Sequence, residues 1–412
     1  MKKLSRSRRS FLFSAGAAAV WIPRSVKGYS TAEMHSFSYR GMMENSVTKW
    51  DLDTPALCVD LDALERNLKT LQQTVSGNGI ASRPHAKTHK CPAIARLQLE
   101  SGSVGICVAK VSEAEAMFEH GIEQILLTTT NVTPLKISRA MRLRKWYTGF
   151  IQATDSLNNA HSLSEAARAT GITADVVVDV DPGGHRTGVS PGQPALELAQ
   201  EVDRLPGLHL RGILCYDGGS QHVKGFEKRR TQTLSRLAPA GETIDLFKRS
   251  GLNTEIFSGG GTGSYNIDHE TPFFTDVQVG SYLFMDAQYM SIGGATNDEI
   301  YSDFQPSLTI LTTVVNDQYK GQVTTDAGAK ACTINQPWPI VKGETGMSYR
   351  SGSDEFGTLQ YDNPSRTYKV GDKLELIVSH CDPVVNLYDQ MYAIRGDQVE
   401  AIWRIEARGM ST

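Results

Sequence analysis

The segment Arg83-Pro84-His85-Ala86-Lys87-Thr88-His89-Lys90 places a lysine between two histidines, with Arg83 and Lys90 on its flanks. It follows a strand-like lead-in and precedes a helix-like run. On an extended segment, His85 and Lys87 are two apart and share a face. A lysine at a strand end, among cationic and polar groups, is expected to have a depressed pKa. That suits imine chemistry, because only the neutral amine attacks a carbonyl. A basic surface loop accounts for the octapeptide alone equally well.

Three further segments carry candidate chemistry. Ser258-Gly259-Gly260-Gly261-Thr262-Gly263-Ser264 follows an apolar run. Its glycines let backbone amides converge on an anion, and Thr262 and Ser264 add hydroxyl donors. It lacks the lysine of a P-loop and comes late in the chain, so a nucleotide-binding reading is weak. Asp181-Pro182-Gly183-Gly184-His185-Arg186-Thr187-Gly188 offers Arg186 to an anionic oxygen on a cofactor ring, or else as a loop arginine capping a helix. Cys215-Tyr216-Asp217-Gly218-Gly219-Ser220-Gln221-His222 adds Tyr216 and His222. A lone loop histidine is more often structural than catalytic, so His222 gains weight only from its company.

Val378-Ser379-His380-Cys381-Asp382-Pro383 reads as a strand end. His380 and Asp382 are then i and i+2 and share a face, with Cys381 on the other. One imidazole and one carboxylate suit Zn, Mn or Mg. Two ligands are too few for a structural site but enough for an open one. A surface His–Asp pair is the plainer alternative.

The elements that must position these groups alternate between about Gly79 and Leu283. Strand-like runs cover Ile80–Ala86, Val104–Ala109, Gln124–Thr128, Gly149–Ala153, Ala174–Val180, Arg211–Tyr216, Glu255–Ser258 and Asp276–Val279. Most are continuous apolar runs, as in parallel strands covered on both faces. Helical patterns such as Ser112–His120, Ser156–Thr170 and Pro194–Arg204 lie between them. Eight such units predict a (β/α)8 TIM-type barrel over 50–290, with an open doubly wound sheet as runner-up. In a barrel, phosphate commonly binds after strands seven and eight, where Ser258–Ser264 falls. After about Ile300 helical periodicity largely disappears. Thr309–Val315, Lys320–Thr325, Lys373–Ser379 and Gln390–Arg395 predict a C-terminal, mostly antiparallel β domain over 300–412. A strand within Val47–Asp60 is expected to join it.

The 412 residues fit two domains, or one barrel and a smaller module. A net charge of −3 argues against a nucleic-acid partner. Residues 1–30 read as an export signal. Arg8-Arg9 followed by Phe11-Leu12 and a short apolar stretch to Ile22 match the twin-arginine type. That route carries folded proteins, which points to a cofactor acquired in the cytoplasm and a periplasmic location. No run of eighteen apolar residues follows, so no stable membrane anchor is expected. The six cysteines are irregularly spaced and lie in apolar runs, as buried small hydrophobes do.

Taken together, these motifs resemble the fold-type III pyridoxal phosphate enzymes. Within them they resemble the group holding D-threonine aldolase and the metal-dependent D-serine dehydratase. The resemblance rests on Asp53-Thr54-Pro55, Arg83–Lys90, Asp181–Gly188, Ser258–Gly263, Asp326-Ala327-Gly328 and His380-Cys381-Asp382-Pro383. It implies an alanine racemase-like barrel with a C-terminal β domain, in homodimers with active sites between subunits. Lys87 is the implied pyridoxal lysine, with His85, Arg186 and Tyr216 around the cofactor. Gly260, Gly261 and Thr262 are implied to hold its phosphate, His380 and Asp382 a divalent metal, and His222 to act as general base. The dehydratases of the group are similar but carry His-x-Cys at the metal pair, so His-x-Asp points to the aldolase side. The export signal departs from the family pattern. The implied activity is retro-aldol cleavage of β-hydroxy D-amino acids to glycine and an aldehyde. Elimination of the D-serine or 3-hydroxyaspartate dehydratase type, racemisation on the same lysine, and cofactor carriage without turnover are the competing readings.

Overall fold

The computed structural model describes residues 47–412 apart from Ser365, together with Tyr29, Glu33 and Met34. Arg8-Arg9 and the apolar stretch after them lie outside the described residues. The chain enters through β1 (Ala56–Asp60), which belongs to the second of two sheets. The Asp60 side chain accepts from Ala63 N at 3.0 Å and caps α1 (Leu61–Gly77), which leads into the barrel.

Eight parallel strands then follow one another. They are β2 (Ala81–Ser82), β3 (Ile106–Val108), β4 (Ile125–Leu127), β5 (Phe150–Thr154), β6 (Ala174–Asp179), β7 (Leu208–Cys215), β8 (Ile256–Gly259) and β9 (Asp276–Val277). They pair in sequence from β3 to β9, and β9 pairs with β2. A single parallel bridge between His85 and Cys107 closes the ring. Its bonds, Ala86 N to Cys107 O and Cys107 N to Pro84 O, are both 2.8 Å. The closure therefore lies two residues before Lys87. The continuous apolar runs are explained by double burial. Cys107, Leu126, Ile151, Ala153, Val177, Leu214 and Ile256 fill the barrel interior. Their strand neighbours, such as Val108, Leu127, Val176 and Ile213, pack outward in the main core with the surrounding helices. Those helices are α2 (Pro92–Glu100), α3 (Val111–Glu119), α4 (Pro134–Trp146), α5 (Leu157–Thr170), α6 (Gln193–Arg204) and α7 (Phe226–Arg249).

A short helix, α8 (Ala287–Met290), leaves the barrel for the second sheet. That sheet continues with β10 (Leu308–Asn316), β11 (Gln322–Thr325), β12 (Ile340–Val341), β13 (Met347–Ser351), β14 (Gly357–Tyr361), β15 (Lys373–Ile377), β16 (Gln390–Arg395) and β17 (Gln398–Arg404), with a short helix, α9 (Ala329–Cys332), between β11 and β12. It is antiparallel except where β1 runs parallel to β16. β1 lies between β10 and β16, so the sheet takes its central strand from ahead of the barrel. The expected strand through His380–Asp382 stops at Ile377. The chain there forms α10 (Cys381–Val385), with His380 as its extended N-cap residue. All six cysteines are free and buried.

Barrel and second sheet are bonded at the site. Ala287 N donates to Val378 O at 3.0 Å, and Gln288 N to Ser379 O at 3.2 Å. Ala407 N donates to Lys90 O at 3.0 Å from the C-terminal side.

Candidate active site

Lys87 sits in a turn just after β2 and the closing bridge. Thr88 N donates to His85 O at 3.3 Å and Lys90 N to Ala86 O at 2.7 Å, which folds the backbone back and puts Lys90 at φ +52°. The same-face argument for His85 and Lys87 thus fails, because the chain is not extended there. Both side chains nevertheless line one cavity. The expected fall in the Lys87 pKa is also reversed. Burial pulls it down, but the Asp382 carboxylate, with which Lys87 Nζ is paired, more than offsets this and holds it above its usual value. The nearby imidazole exerts no opposing charge. Burial first, and the Lys87 charge next, push His85 well below its ordinary pKa, so it is a neutral ring. Its Nε2 lies 3.2 Å from Thr128 Oγ1.

The glycine loop follows β8 at the carboxyl end of the barrel. A Cβ on Gly259 would lie 1.9 Å from Cys215 O, and one on Gly261 2.6 Å from Gln221 Oε1. These positions admit only glycine without displacement. Gly261 N donates to Ser264 Oγ at 3.2 Å, and Gly263 N to Gln221 Oε1 at 2.9 Å. Thr262 Oγ1 accepts from Tyr282 N at 2.9 Å, leaving its proton for a further acceptor. Gly261 and Thr262 line the cavity. Gly260 is one step back: at φ +64° it bends the loop over the buried Asp268, whose Oδ2 a Cβ there would meet at 2.0 Å. Gly280 and Ser281, just after β9, join the lining beside Thr262. Sequence reasoning passed over them, although a loop after the eighth barrel strand was the signal that could have found them.

Around the middle of the cavity stand Tyr216, Arg186 and Asp179. The Arg186 guanidinium lies 5.1 Å from the Tyr216 ring centroid, in cation–π range. Asp179 ends β6 and was not anticipated. Burial pushes its carboxyl up to about 7.

Behind Lys87, outside the cavity lining itself, stand residues that follow β15 of the second sheet. His380 Nδ1 donates to Asp286 Oδ2 at 2.9 Å, so its Nε2 is the nitrogen left for a ligand. Asp382, in the first turn of α10, holds Lys87. Burial raises its carboxyl, but the Lys87 and His380 charges outweigh this and bring it to about 2. Its Oδ1 is buried without a hydrogen-bond partner. Cys381 is fully buried and points away, its sulfur 3.2 Å from Asp286 Oδ2. His222 is at the exposed rim. Its ring is 4.4 Å from that of Tyr289, which lines the cavity. Burial lowers the His222 pKa. Among the described residues, no group of three or more His, Cys, Asp or Glu side chains could hold a metal ion. The pair His380 and Asp382 therefore presents two protein ligands at most.

The cavity has a volume of about 370 Å³. It has an amine along its wall, a glycine–hydroxyl cradle contributed by the loops after β8 and β9, and a neutral imidazole between flat aromatic and polar walls. That donor set fits a phosphate-bearing aromatic aldehyde. Residues 59–288 match the family described as alanine racemase, N-terminal domain, and residues 307–394 match the serine dehydratase domain. The chain is 36% identical to a 3-hydroxy-D-aspartate aldolase of Paracoccus denitrificans, over 87% of this chain and 93% of that one. It is 37% identical to a D-threonine aldolase of an Arthrobacter species, over 87% and 94%. The solved D-threonine aldolase from Filomicrobium marinum superimposes with a TM-score of 0.84 at 36% identity, covering 89% and 98%. D-threo-3-hydroxyaspartate dehydratase from Delftia sp. HT23 gives 0.78 at 26%, covering 87% and 98%. The fold class is thus that of the alanine racemase-type barrel with its β domain. The chain belongs to this family, among its pyridoxal phosphate-dependent, D-threonine aldolase-like lyases.

Proposed function

We propose that the chain cleaves β-hydroxy D-amino acids between Cα and Cβ, giving glycine and an aldehyde, with Lys87 as cofactor lysine and His380 and Asp382 as ligands of a divalent Mn, Mg or Zn ion. The observation that carries this is the meeting of Lys87 and Asp382. Lys87 follows the first barrel strand and Asp382 follows β15 of the second sheet, 295 residues on, yet the two are paired beside the cavity that Lys87 lines. The amine and the metal pair therefore address one substrate molecule.

Bound pyridoxal phosphate supplies an electron sink for the pair left at Cα. A divalent cation on His380 Nε2 and Asp382 supplies Lewis acidity at the β-hydroxyl oxygen. The protein's own groups do the rest. Thr262, Gly280 and Ser281, in the cradle that Gly261 keeps open, would offer amides and hydroxyls to the phosphate. The neutral His85, Tyr216 and Arg186, which line the same cavity, would hold the ring, with Arg186 the donor for its oxygen. His222 takes the β-hydroxyl proton, directly or through one water, because its lowered pKa keeps it unprotonated near neutrality. As that O–H proton leaves, the Cα–Cβ bond breaks, the aldehyde C=O forms, and Cα is reprotonated to give glycine. The test is product analysis with D-threonine and D-serine, with and without chelator. Glycine and acetaldehyde from D-threonine, lost on chelation, are expected. A 2-oxo acid and ammonia would mean elimination, and chelator-insensitive formation of L-allothreonine from D-threonine, or of L-serine from D-serine, would mean racemisation.

The functional unit in this reading is a homodimer exported to the periplasm by the twin-arginine route. Arg8-Arg9 before Phe11-Leu12 supports the export, and the family resemblance supports the dimer. Light scattering of the purified protein tests the latter: a monomer that turns over D-threonine would refute it.

A further inference from the structure

The largest unexplained investment at the site is Asp286. It is completely buried and makes more bonds than any ligand it stands behind. Its Oδ2 accepts from His380 Nδ1 at 2.9 Å, from Cys381 N at 3.1 Å and from Cys381 Sγ at 3.2 Å. Its Oδ1 accepts from Tyr289 N at 2.9 Å. One carboxylate from the barrel side thereby holds His380 of the second sheet and caps the turn that presents Tyr289 to His222.

The bond to Nδ1 has a definite chemical consequence. A carboxylate can only accept, so the shared proton sits on Nδ1 and the lone pair of the neutral ring sits on Nε2. The second and third bonds lock the backbone at Cys381, between the two ligand positions. Ala287 N to Val378 O and Gln288 N to Ser379 O pin the same two chain segments together from outside. A flip of the ring therefore breaks its bond to Asp286, while the backbone that carries the ring is held by the others. The thiol between the ligands is engaged by the same carboxylate, which keeps it from competing as a soft ligand.

We propose that Asp286 is a positioning residue: it fixes the tautomer and direction of His380 so that Nε2 faces the metal position beside Asp382, and it keeps Cys381 turned away. This rests on the metal reading above. A carboxylate behind a ligating histidine is worth about 10–100-fold in metal affinity.

The test uses the purified full chain loaded with pyridoxal phosphate. Mn2+ affinity is measured for the parent, His380→Ala, Asp286→Asn and Asp286→Ala. Borohydride labelling of Lys87 and the melting temperature are followed in parallel. Asp286→Asn keeps the shape and one acceptor but not the charge, and is expected to weaken Mn2+ binding about tenfold. Asp286→Ala is expected to weaken it about a hundredfold. Lys87 labelling should stay at the parental level in both. In the parent without metal, at a pH high enough to leave the His380 ring neutral, 15N spectra of labelled histidine should show His380 protonated at Nδ1 alone, and Asp286→Ala should lose that single form. Mn2+ binding that depends on His380 but not on Asp286 would overturn this inference alone. Parent Mn2+ affinity unchanged by His380→Ala would overturn the metal reading and this inference with it. Loss of Lys87 labelling in Asp286→Asn would make Asp286 a general structural residue and would also overturn it. So would a mixed His380 tautomer in the parent, a readout that needs no variant to fold.

Discussion

His85, Lys87, Asp179 and Asp382 show burial and charge deciding protonation in opposite directions within one cavity. His85 has burial and a cation against its charged form and is neutral. Lys87 has burial against it but a carboxylate in its favour and is charged. Formation of an imine by Lys87 therefore requires the Asp382 partnership to be exchanged for something else, and a cation on Asp382 would do that. Borohydride reduction followed by peptide mapping should place the pyridoxyl group on Lys87. Label on Lys90 or Lys110 would overturn the assignment. Asp179 gives a pH prediction. Burial raises its carboxyl to about 7, so between roughly pH 4 and 7 the folded chain keeps a proton that the unfolded chain has lost. Stability from this group thus falls as pH rises through that window, by at most about 4 kcal/mol. Melting temperatures at pH 5 and pH 8 should differ less in Asp179→Asn than in the parent. Equal differences would contradict the shift.

At the scale of elements, the site is made by turns hung on short strands. β2 is only two residues long, and the barrel closes on one bridge, so the turn that carries Lys87 is held from three sides: β9, β3 and Ala407, beyond the last strand. Gly280 is a tight point in this arrangement. A Cβ there would fall 2.4 Å from Thr88 Oγ1, on a fully buried side chain in the same turn as Lys87. Gly280→Ala should lower pyridoxal phosphate affinity roughly tenfold or more, on the scale of the overpacking cost of about 1–3 kcal/mol, and equilibrium dialysis measures it. Parental affinity in that variant would detach the loop after β9 from the cofactor. Most of the barrel strands were legible because double burial writes them as unbroken apolar runs, although β2 (Ala81–Ser82) and β9 (Asp276–Val277) are short and mixed. The glycine loop was legible because close backbone approach leaves no other residue possible. The local shapes at Lys87 and His380 were not. An i, i+2 pair reads as a strand face, whereas Lys90 at positive φ and the cap at His380 turn both segments. β13, β14 and β17 were passed over because their polar, partly exposed residues lack a continuous run. Asp286 left no local trace at all, since its partner lies 94 residues away.

At the scale of the whole molecule, the chain begins the second sheet, runs through the whole barrel and returns to complete that sheet. β1 starts the second sheet before the barrel begins, and Lys87 and Asp382 meet only after both are built. If the chain is exported by the proposed twin-arginine route, it would cross folded and loaded. Replacing Arg8 and Arg9 by lysine should leave the protein in the cytoplasm, as fractionation would show, and continued export by the general secretory route would contradict the twin-arginine reading. The same threading separates Lys87, the proposed cofactor lysine, from the proposed metal ligands His380 and Asp382 by domain. Loss of a metal ligand should therefore spare the cofactor linkage while abolishing carbon–carbon cleavage. The most direct measurement is the comparison of Asp382→Ala with the parent for metal content, pyridoxyl labelling at Lys87 and glycine release from D-threonine. The account predicts a variant that keeps the label, loses the metal and releases glycine at least a hundredfold more slowly, the size expected for losing metal-assisted activation on the scale of about 3 kcal/mol or more. Parental glycine release from the metal-free variant would contradict it.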